Sequence, residues 1–202
     1  MNDPKKPAWE ILPQDAKPGE VILSKRNELG ILSNFAATLF EYRGKRYASV
    51  EGFWQMMLYP EGPDDPRAKS AAVTWPHTRE QVAQMVAFEA KAAGDVGEKN
   101  MRKLGIDWVT FEGQRLEYRS KNWVTFEGKR AKAGSKPHGE HYRLIFEAMR
   151  AKLEQNPKVE EILLSTGDLI LRPDHITDPN EPDEWRYFDM WMRIRWELRI
   201  KI

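Results

Sequence analysis

The stretch EYRGKRYASVEGFWQ, residues 41–55, contains the local signals that decide the fold of this 202-residue chain. Arg43-Gly44 is a turn dipeptide inside segment 38–50, so this segment predicts two short strands joined as a hairpin. Ser49 is suited to cap the N-terminus of a helix that is expected to run to about Tyr59. The stretch therefore predicts a hairpin that leads directly into a helix.

Glu51 is the candidate chemical group of this predicted helix. It shares one helix face with Gln55 and Leu58, which follow at the i+4 and i+7 positions. A carboxylate in the first turn is stabilised in its ionised form by about 0.3–1 kcal/mol through the helix macrodipole. We therefore expect Glu51 to be an ionised base or charge stabiliser, unless burial outweighs the dipole. The alternative is a solvated glutamate that only suits a helix start.

The segments around this unit divide into a tail and one domain. Residues 1–19 carry four prolines among polar residues and are predicted to be an N-terminal tail, which Trp9, Ile11 and Leu12 can drape over the domain of residues 20–202. Helical stretches are expected near 65–73 and 79–93. The second is expected to end at Gly94, which is suited to a left-handed C-cap.

The C-terminal half predicts further helices. Apolar residues at helical spacing indicate a long helix over 139–155, and a shorter one is expected over 158–165. In 188–202 every even position is apolar, which is typical of a strand. Fifteen residues are long for a strand, and Asp183-Glu184 is a fair helix start. We expect a helix over 184–198, partly because of the resemblance described below.

An internal repeat lies between these halves. WVTFEGQR at 108–115 recurs as WVTFEGKR at 123–130, and each copy predicts a strand that enters a Glu-Gly turn. Two copies are too few for a solenoid, so we interpret them as a local duplication. The run 111–136 holds seven Lys or Arg, including Arg119, against three Glu, with aromatic residues between them. This run is either a surface for phosphates and bases or an ordinary solvated face.

Composition excludes several classes of protein. No apolar run reaches the roughly 20 residues of a membrane span, and the N-terminus lacks the apolar region of a signal peptide. The chain has no cysteine, which excludes disulfides and thiol chemistry, and a net charge of +1. We expect a cytoplasmic protein that does not bind membranes, metals or cofactors.

Three polar constellations remain as candidates besides Glu51. Asn34 in Ser33-Asn34-Phe35 serves either as a turn residue or as a polar contact to a sugar. Asp168 follows Thr166-Gly167 in a turn after a helix, where it is either functional or an ordinary capping residue. The pair Asp174-His175 is too little for a metal site or a catalytic triad.

Four segments, in this order, resemble the NADAR (YbiA-like) family. LSNF at 32–35 is similar to the family's opening loop, and EYRGKRYASVEGFWQ at 41–55 to its Gly-Lys-x-Tyr…Glu-x-x-x-Gln signature. EHYRLIFEAMRAKLEQNPKVEEILLSTGD at 140–168 and MRIRWEL at 192–198 resemble its later helices. Each segment alone is unspecific, whereas the ordered combination, which spans roughly 30–200, is specific.

The resemblance implies a mostly helical single α+β domain with a small antiparallel sheet. It also implies an N-glycosidase: some members hydrolyse phosphorylated riboflavin-pathway intermediates, and others remove ADP-ribose from guanine. Glu51 would be the catalytic carboxylate, and the proton donor for the leaving base is not identified. The residues expected around the ribose or base are Asn34, Phe35, Trp54, Gln55, His141 and Asp168, with Arg119 as a further substrate contact. The expected substrate is an ADP-ribosyl or phosphoribosyl small molecule, or ADP-ribosylated nucleic acid.

Two positions of the signature depart from the family's pattern. Gly52 stands where members usually have His, and Leu58 stands where they usually have Lys. That Lys would share the face of Glu51 and Gln55, as an amine catalyst or an electrostatic partner. Its absence favours an alternative function, a non-catalytic binding module for ADP-ribose, NAD-derived nucleotides or modified nucleic acid. A purely structural protein is a third alternative, expected if no polar cleft surrounds Glu51.

Overall fold

Six α-helices and six short strands are formed by the described residues of the computed structural model, which are 6–118, 138–178 and 181–200. The helices are α1 Val50–Met56, α2 Arg79–Ala83, α3 Ala87–Leu104, α4 Glu140–Gln155, α5 Pro157–Ser165 and α6 Tyr187–Arg199. The strands are β1 Glu20–Leu23, β2 Phe40–Tyr42, β3 Lys45–Tyr47, β4 Trp108–Phe111, β5 Gln114–Glu117 and β6 Ile170–Pro173. The predicted α+β class, mostly helical, is confirmed. Arg119 and the second repeat copy, 123–130, lie outside the described residues.

Two antiparallel hairpins, β2–β3 and β4–β5, have the same turn. Arg43 and Gly44 both have positive φ, of 50° and 73°, and so do Glu112 and Gly113, at 50° and 77°. Positive φ at both central residues is the type I′ geometry, which matches the twist of paired strands. The first hairpin is as predicted, and so is the strand that enters the Glu-Gly turn in the first repeat copy.

The third sheet was not predicted, because β1 and β6 pair in parallel rather than antiparallel. Parallel strands need a long crossover, and here most of the domain lies between them in the sequence. Parallel pairing brings the C-terminal ends of both strands to the same edge. Lys25, just after β1, therefore lies beside Asp174, just after β6.

Residues 65–73 form turns, so the predicted helix there is wrong. The Asp65 carboxylate accepts a hydrogen bond from the backbone N–H of Arg67 and pairs with its guanidinium at 2.7 Å. Such local side-chain bonds compete with helix formation. The buried Arg67 also donates to the carbonyls of Met57 and Leu58, which follow α1 and lack helical partners.

The helix predicted over 79–93 is also wrong, because α2 ends at Ala83 and α3 begins only at Ala87. The Ala83 carbonyl accepts a hydrogen bond from the backbone N–H of Ala48, at 3.2 Å. The Met85 carbonyl accepts one from the Ser49 hydroxyl, at 2.8 Å. These tertiary bonds to the segment that leads into α1 replace the bonds of a continuous helix.

Gly94 lies inside α3 and does not end it, contrary to the prediction. A Cβ at this position would overlap the side-chain amide of Gln55, so glycine permits close packing of α3 on α1. One turn further on, a Cβ on Gly97 would lie 2.8 Å from the Cβ of Leu58. The left-handed C-cap of α3 is Gly105, with φ of 67°.

The C-terminal segment is helical, which confirms the helix predicted over 184–198 against the strand pattern. The α6 residues Tyr187, Met190, Trp191 and Ile194 are buried at helical spacing, whereas Trp196 is 61% exposed. The alternation in the sequence therefore did not reflect a two-sided strand. In the parts of the chain that the structure describes, no helix combines the length and apolar character required to cross a membrane.

Candidate functional site

A cavity of about 320 Å³ opens beside the N-terminal end of α1. Five of the predicted site residues line it, namely Asn34, Phe35, Glu51, Trp54 and Gln55. Every residue of α1 is buried, so this helix holds the cavity floor rigidly from within the core. The volume is in the range of small-molecule sites, which begin at about 300 Å³.

Glu51 is buried on this floor, at 5% exposure. The Gln55 amide donates a hydrogen bond of 2.7 Å to its carboxylate from the next turn of α1. Burial raises the pKa of Glu51 to about 7, although Gln55, Lys91 and Lys25 each lower it. Burial therefore outweighs the helix dipole, contrary to the expected ionised resting state. Near neutral pH the carboxyl can both give and take a proton.

The loop that carries Asn34 is held by hydrogen bonds to four consecutive carbonyls. The buried Lys152 ammonium of α4 donates to the carbonyls of Ile31 and Ser33, at 2.7 and 3.0 Å. The Trp191 indole of α6 donates to the Leu32 carbonyl, at 2.6 Å. The backbone N–H of Glu51 donates to the Asn34 carbonyl, at 3.0 Å. These bonds fix Asn34 relative to Glu51.

Three residues that line the cavity each carry a buried polar atom without a hydrogen-bond partner among the described residues. These atoms are Asn34 Oδ1, Trp54 Nε1 and the Tyr187 hydroxyl. Burial raises the pKa of Tyr187, and the charges of Asp174, Glu181 and Glu51 add to the effect, so its hydroxyl keeps its proton. Because nearly all buried polar groups in proteins are bonded, these two donors and one acceptor indicate a site for a polar ligand.

Aromatic rings form the other walls of the cavity. Phe35 of the loop meets Phe88 of α3 edge to face, with centroids 5.3 Å apart. Trp54 meets Trp185 in the same way, at 5.2 Å. Trp9 also lines the cavity and is 44% exposed. Such surfaces suit a planar ring, which gains about 1–3 kcal/mol per stacked base.

Two lysines bring positive charge to the cavity. Lys25 donates to both carboxylate oxygens of Asp174, at 2.6 and 2.7 Å, and Lys91 pairs with Asp95 on the exposed side of α3. Both lysines lower the pKa of Glu51. Lys25 and Lys91 are therefore placed to attract an anionic group towards the carboxyl.

The two departures from the family signature are packing positions in this structure. A Cβ on Gly52 would lie 2.6 Å from the Met85 carbonyl oxygen, so a His here would require the segment at the end of α2 and after it to move. Leu58 is fully buried and packs against Gly97. Positive charge near Glu51 therefore comes from other elements.

The described part of the N-terminal segment, residues 6–19, packs on the domain. Glu10 pairs with Arg26 through two bonds of 2.6 Å and forms a β-bridge with His175. The backbone N–H of Ile176 donates to the Trp9 carbonyl, at 3.1 Å. These bonds place Trp9 at the cavity, so the segment predicted to be a tail contributes to one wall.

Two of the predicted site residues that the structure describes, His141 and Asp168, do not line the cavity. His141 is 1% exposed and packs behind it, with its ring 6.1 Å from that of Trp54. Asp168 lies on an exposed turn and pairs with Arg199 of α6, so the structure gives it no position near Glu51. Arg119 lies outside the described residues.

The sequence interpretation did not assign Trp9, Lys25, Phe88, Lys91, Trp185 and Tyr187 to the site, and it set aside His175 as part of a pair too small for a metal site or a triad. Trp185 and Tyr187 lie in EPDEWRYFDMW, residues 181–191. Its aromatic density was the available signal. Within 6–118, 138–178 and 181–200, no group of three or more His, Asp or Glu side chains is arranged to hold a metal ion.

Together, the six helices, the paired short strands and the cavity beside α1 define an α+β domain of the YbiA-like fold. The solved structure that shows this is that of the Escherichia coli protein YbiA, determined by NMR, to which the chain is similar with a TM-score of 0.50. The match covers 96% of this chain and 90% of that chain at 18% sequence identity, a level that shows the fold alone. No protein-family model matches the sequence, and a search of curated proteins gives no match.

Proposed function

We propose that this protein hydrolyses the N-glycosidic bond between a ribose and a nucleobase. The observation that carries the proposal is the buried Glu51 carboxyl, which lies on the floor of an aromatic-walled cavity with lysines at its side. Cleavage of such a bond passes through an oxocarbenium-like state that a nearby carboxylate stabilises. The same carboxylate can take a proton from the attacking water.

The unpartnered polar atoms support a ribosyl substrate. Asn34 Oδ1 accepts hydrogen bonds, whereas Trp54 Nε1 and the Tyr187 hydroxyl donate them, and none has a partner among the described residues. Sugar hydroxyls both donate and accept, so they match this mixed set. The bond from Gln55 holds the Glu51 carboxyl in one orientation.

The charges favour a phosphorylated ligand. Lys25 and Lys91 both line the cavity, and ammonium groups bind phosphate oxygens strongly. The aromatic pairs Phe35–Phe88 and Trp54–Trp185 suit the base. We propose an ADP-ribosylated nucleobase, or a related phosphorylated ribosyl compound, as the substrate.

Glu51→Gln tests this function. The variant should release no measurable free base from ADP-ribosylated guanine, a loss of at least about 10²-fold, while its circular dichroism stays that of the wild type. Glu89→Gln, which removes a charge from an exposed position of α3, is the matched control. Unchanged base release by Glu51→Gln would contradict the assignment.

A non-catalytic binding module is the second candidate, and Leu58 favours it. At the position where the resembling family usually has Lys, this chain has a fully buried apolar side chain. Calorimetry with ADP-ribose, run beside the base-release assay, separates the candidates. Tight binding by the wild type without turnover would support the module and exclude the hydrolase.

A further inference from the structure

We propose that His175 is the proton donor to the departing base, with Asp174 as the residue that orients its ring. The inference rests on the proposed hydrolase function and supplies the one role that Glu51 does not fill. A base that leaves as an anion is a poor leaving group, so a positioned acid typically accelerates its departure by about 10²–10⁴-fold.

The geometry of the pair assigns the two ring nitrogens. His175 Nδ1 lies 3.2 Å from Asp174 Oδ1, so Nδ1–H donates to the carboxylate. Asp174 is 1% exposed and also accepts from Lys25. Burial acts to raise the pKa of Asp174, but the bonds from His175 and Lys25 outweigh it and hold the pKa below its usual range. An ionised Asp174 then leaves Nε2 as the nitrogen that can carry a proton to the cavity, which His175 lines.

The backbone around His175 is held on both sides. Glu10 forms an antiparallel bridge with His175, and the backbone N–H of Ile11 donates to the Asp174 carbonyl at 2.9 Å. The N–H of Ile176 donates to the Trp9 carbonyl. A ring oriented by a carboxylate and carried on a fixed backbone has the preorganisation that a proton donor requires.

His175 and Glu51 line the same cavity from different elements. Glu51 belongs to α1, whereas Asp174 and His175 follow β6. Tyr187, whose hydroxyl has no hydrogen-bond partner among the described residues, lines the same cavity as Glu51 and His175. Separate groups can therefore act at the water and at the base.

The step balances with one water consumed. As the C1′–N bond breaks, its electron pair goes to the base, which takes the proton from Nε2 of the His175 imidazolium. Water bonds to C1′ through its oxygen and gives a proton to the Glu51 carboxylate. The products are free base and free ribosyl compound. Solvent then takes the proton from Glu51 and restores the one on His175.

His175→Gly and His175→Gln test the proposal on ADP-ribosylated guanine. Both variants should lose about 10²–10⁴-fold in kcat with little change in KM, and added imidazole should restore part of the activity of His175→Gly. His77→Gln, at a histidine that does not line the cavity, is the matched control and should behave as the wild type.

Two results would overturn the role of His175. One is a His175→Gln variant with kcat close to that of the wild type. The other is a folded His175→Gly variant whose lost activity imidazole does not restore. If Glu51→Gln is inactive while His175→Gln is active, only this proposal fails. If the wild type releases no base at all, the hydrolase function fails with it.

Discussion

Replacement of Glu51 by glutamine should stabilise the fold, because the native carboxyl lies where its charge is disfavoured. Burial raises its pKa from 4.5 to about 7, at 5% exposure, even though Gln55 and Lys91 act in the opposite direction. Since one pKa unit is worth about 1.4 kcal/mol, the ionised carboxylate costs the folded state about 3 kcal/mol. Glutamine keeps an acceptor oxygen for the Gln55 amide and carries no charge.

The stabilisation that Glu51→Gln brings should depend on pH, because the folded chain keeps the Glu51 proton to higher pH than the unfolded chain does. Below pH 4.5 the carboxyl is protonated in both states, so it contributes no penalty. Between pH 4.5 and about 7 the unfolded chain releases the proton first, and the wild type loses stability relative to the variant. Above pH 7 the variant should have its full advantage of about 3 kcal/mol.

Urea unfolding followed by circular dichroism, at pH 4.5 and pH 8, measures this difference. Glu89→Gln controls for the loss of one negative charge at an exposed position. A Glu51→Gln variant that is less stable than the wild type by the same amount at both pH values would refute the reasoning. That result would mean that the ionised carboxylate is already stabilised by its surroundings.

Two further substitutions test the supports of the site. Gly94→Ala should displace the Gln55 amide from Glu51 and lower base release. It should also raise the pH at which activity appears, because the bond from Gln55 lowers the pKa of Glu51. The fold should lose about 1–3 kcal/mol through overpacking, partly offset by about 1 kcal/mol of helix propensity. Gly97→Ala, which meets Leu58 instead, is its control in urea unfolding and kinetics. Lys152→Met should reduce base release at least about 10-fold, because the loop before Asn34 loses its hydrogen bonds to the ammonium group. The unfolding free energy should change by less than about 3 kcal/mol, since removal of a buried charge offsets the lost bonds. Unaltered base-release kinetics in Lys152→Met would show that the Lys152 ammonium is not needed to hold the loop before Asn34.

The parts of the fold that the sequence predicted correctly are those set by neighbouring residues. Arg43-Gly44 takes the positive φ values that a tight hairpin needs, and the Ser49 hydroxyl accepts the backbone N–H of Gly52 at the start of α1. Turn and cap chemistry act over three or four residues, so they are visible in the sequence.

The errors came from contacts between distant segments. A glycine such as Gly94 is typical of a helix end, which is why the sequence predicted one there. In the structure this glycine lies inside α3 and leaves room for the Gln55 side chain of α1. The parallel pairing of β1 with β6 joins residues about 150 positions apart, and no local pattern encodes it. Lys25 and His175 belong to the site only because of that pairing.

The same contacts explain why separate weak motifs identify this fold when they occur in order. The Asn34 loop, the Glu51 helix and the α4 segment around Lys152 form one hydrogen-bonded unit, in which Lys152 and the Glu51 N–H hold carbonyls of the loop. Burial raises the pKa of Glu51 and lowers that of Lys152, each to about 7, so the fold bears a cost at both groups. The buried Lys152 ammonium holds the loop that carries Asn34. The buried Glu51 carboxyl can exchange protons near neutral pH. Both costs therefore fall on groups that the proposed function uses, Glu51 directly and Lys152 through the loop that carries Asn34.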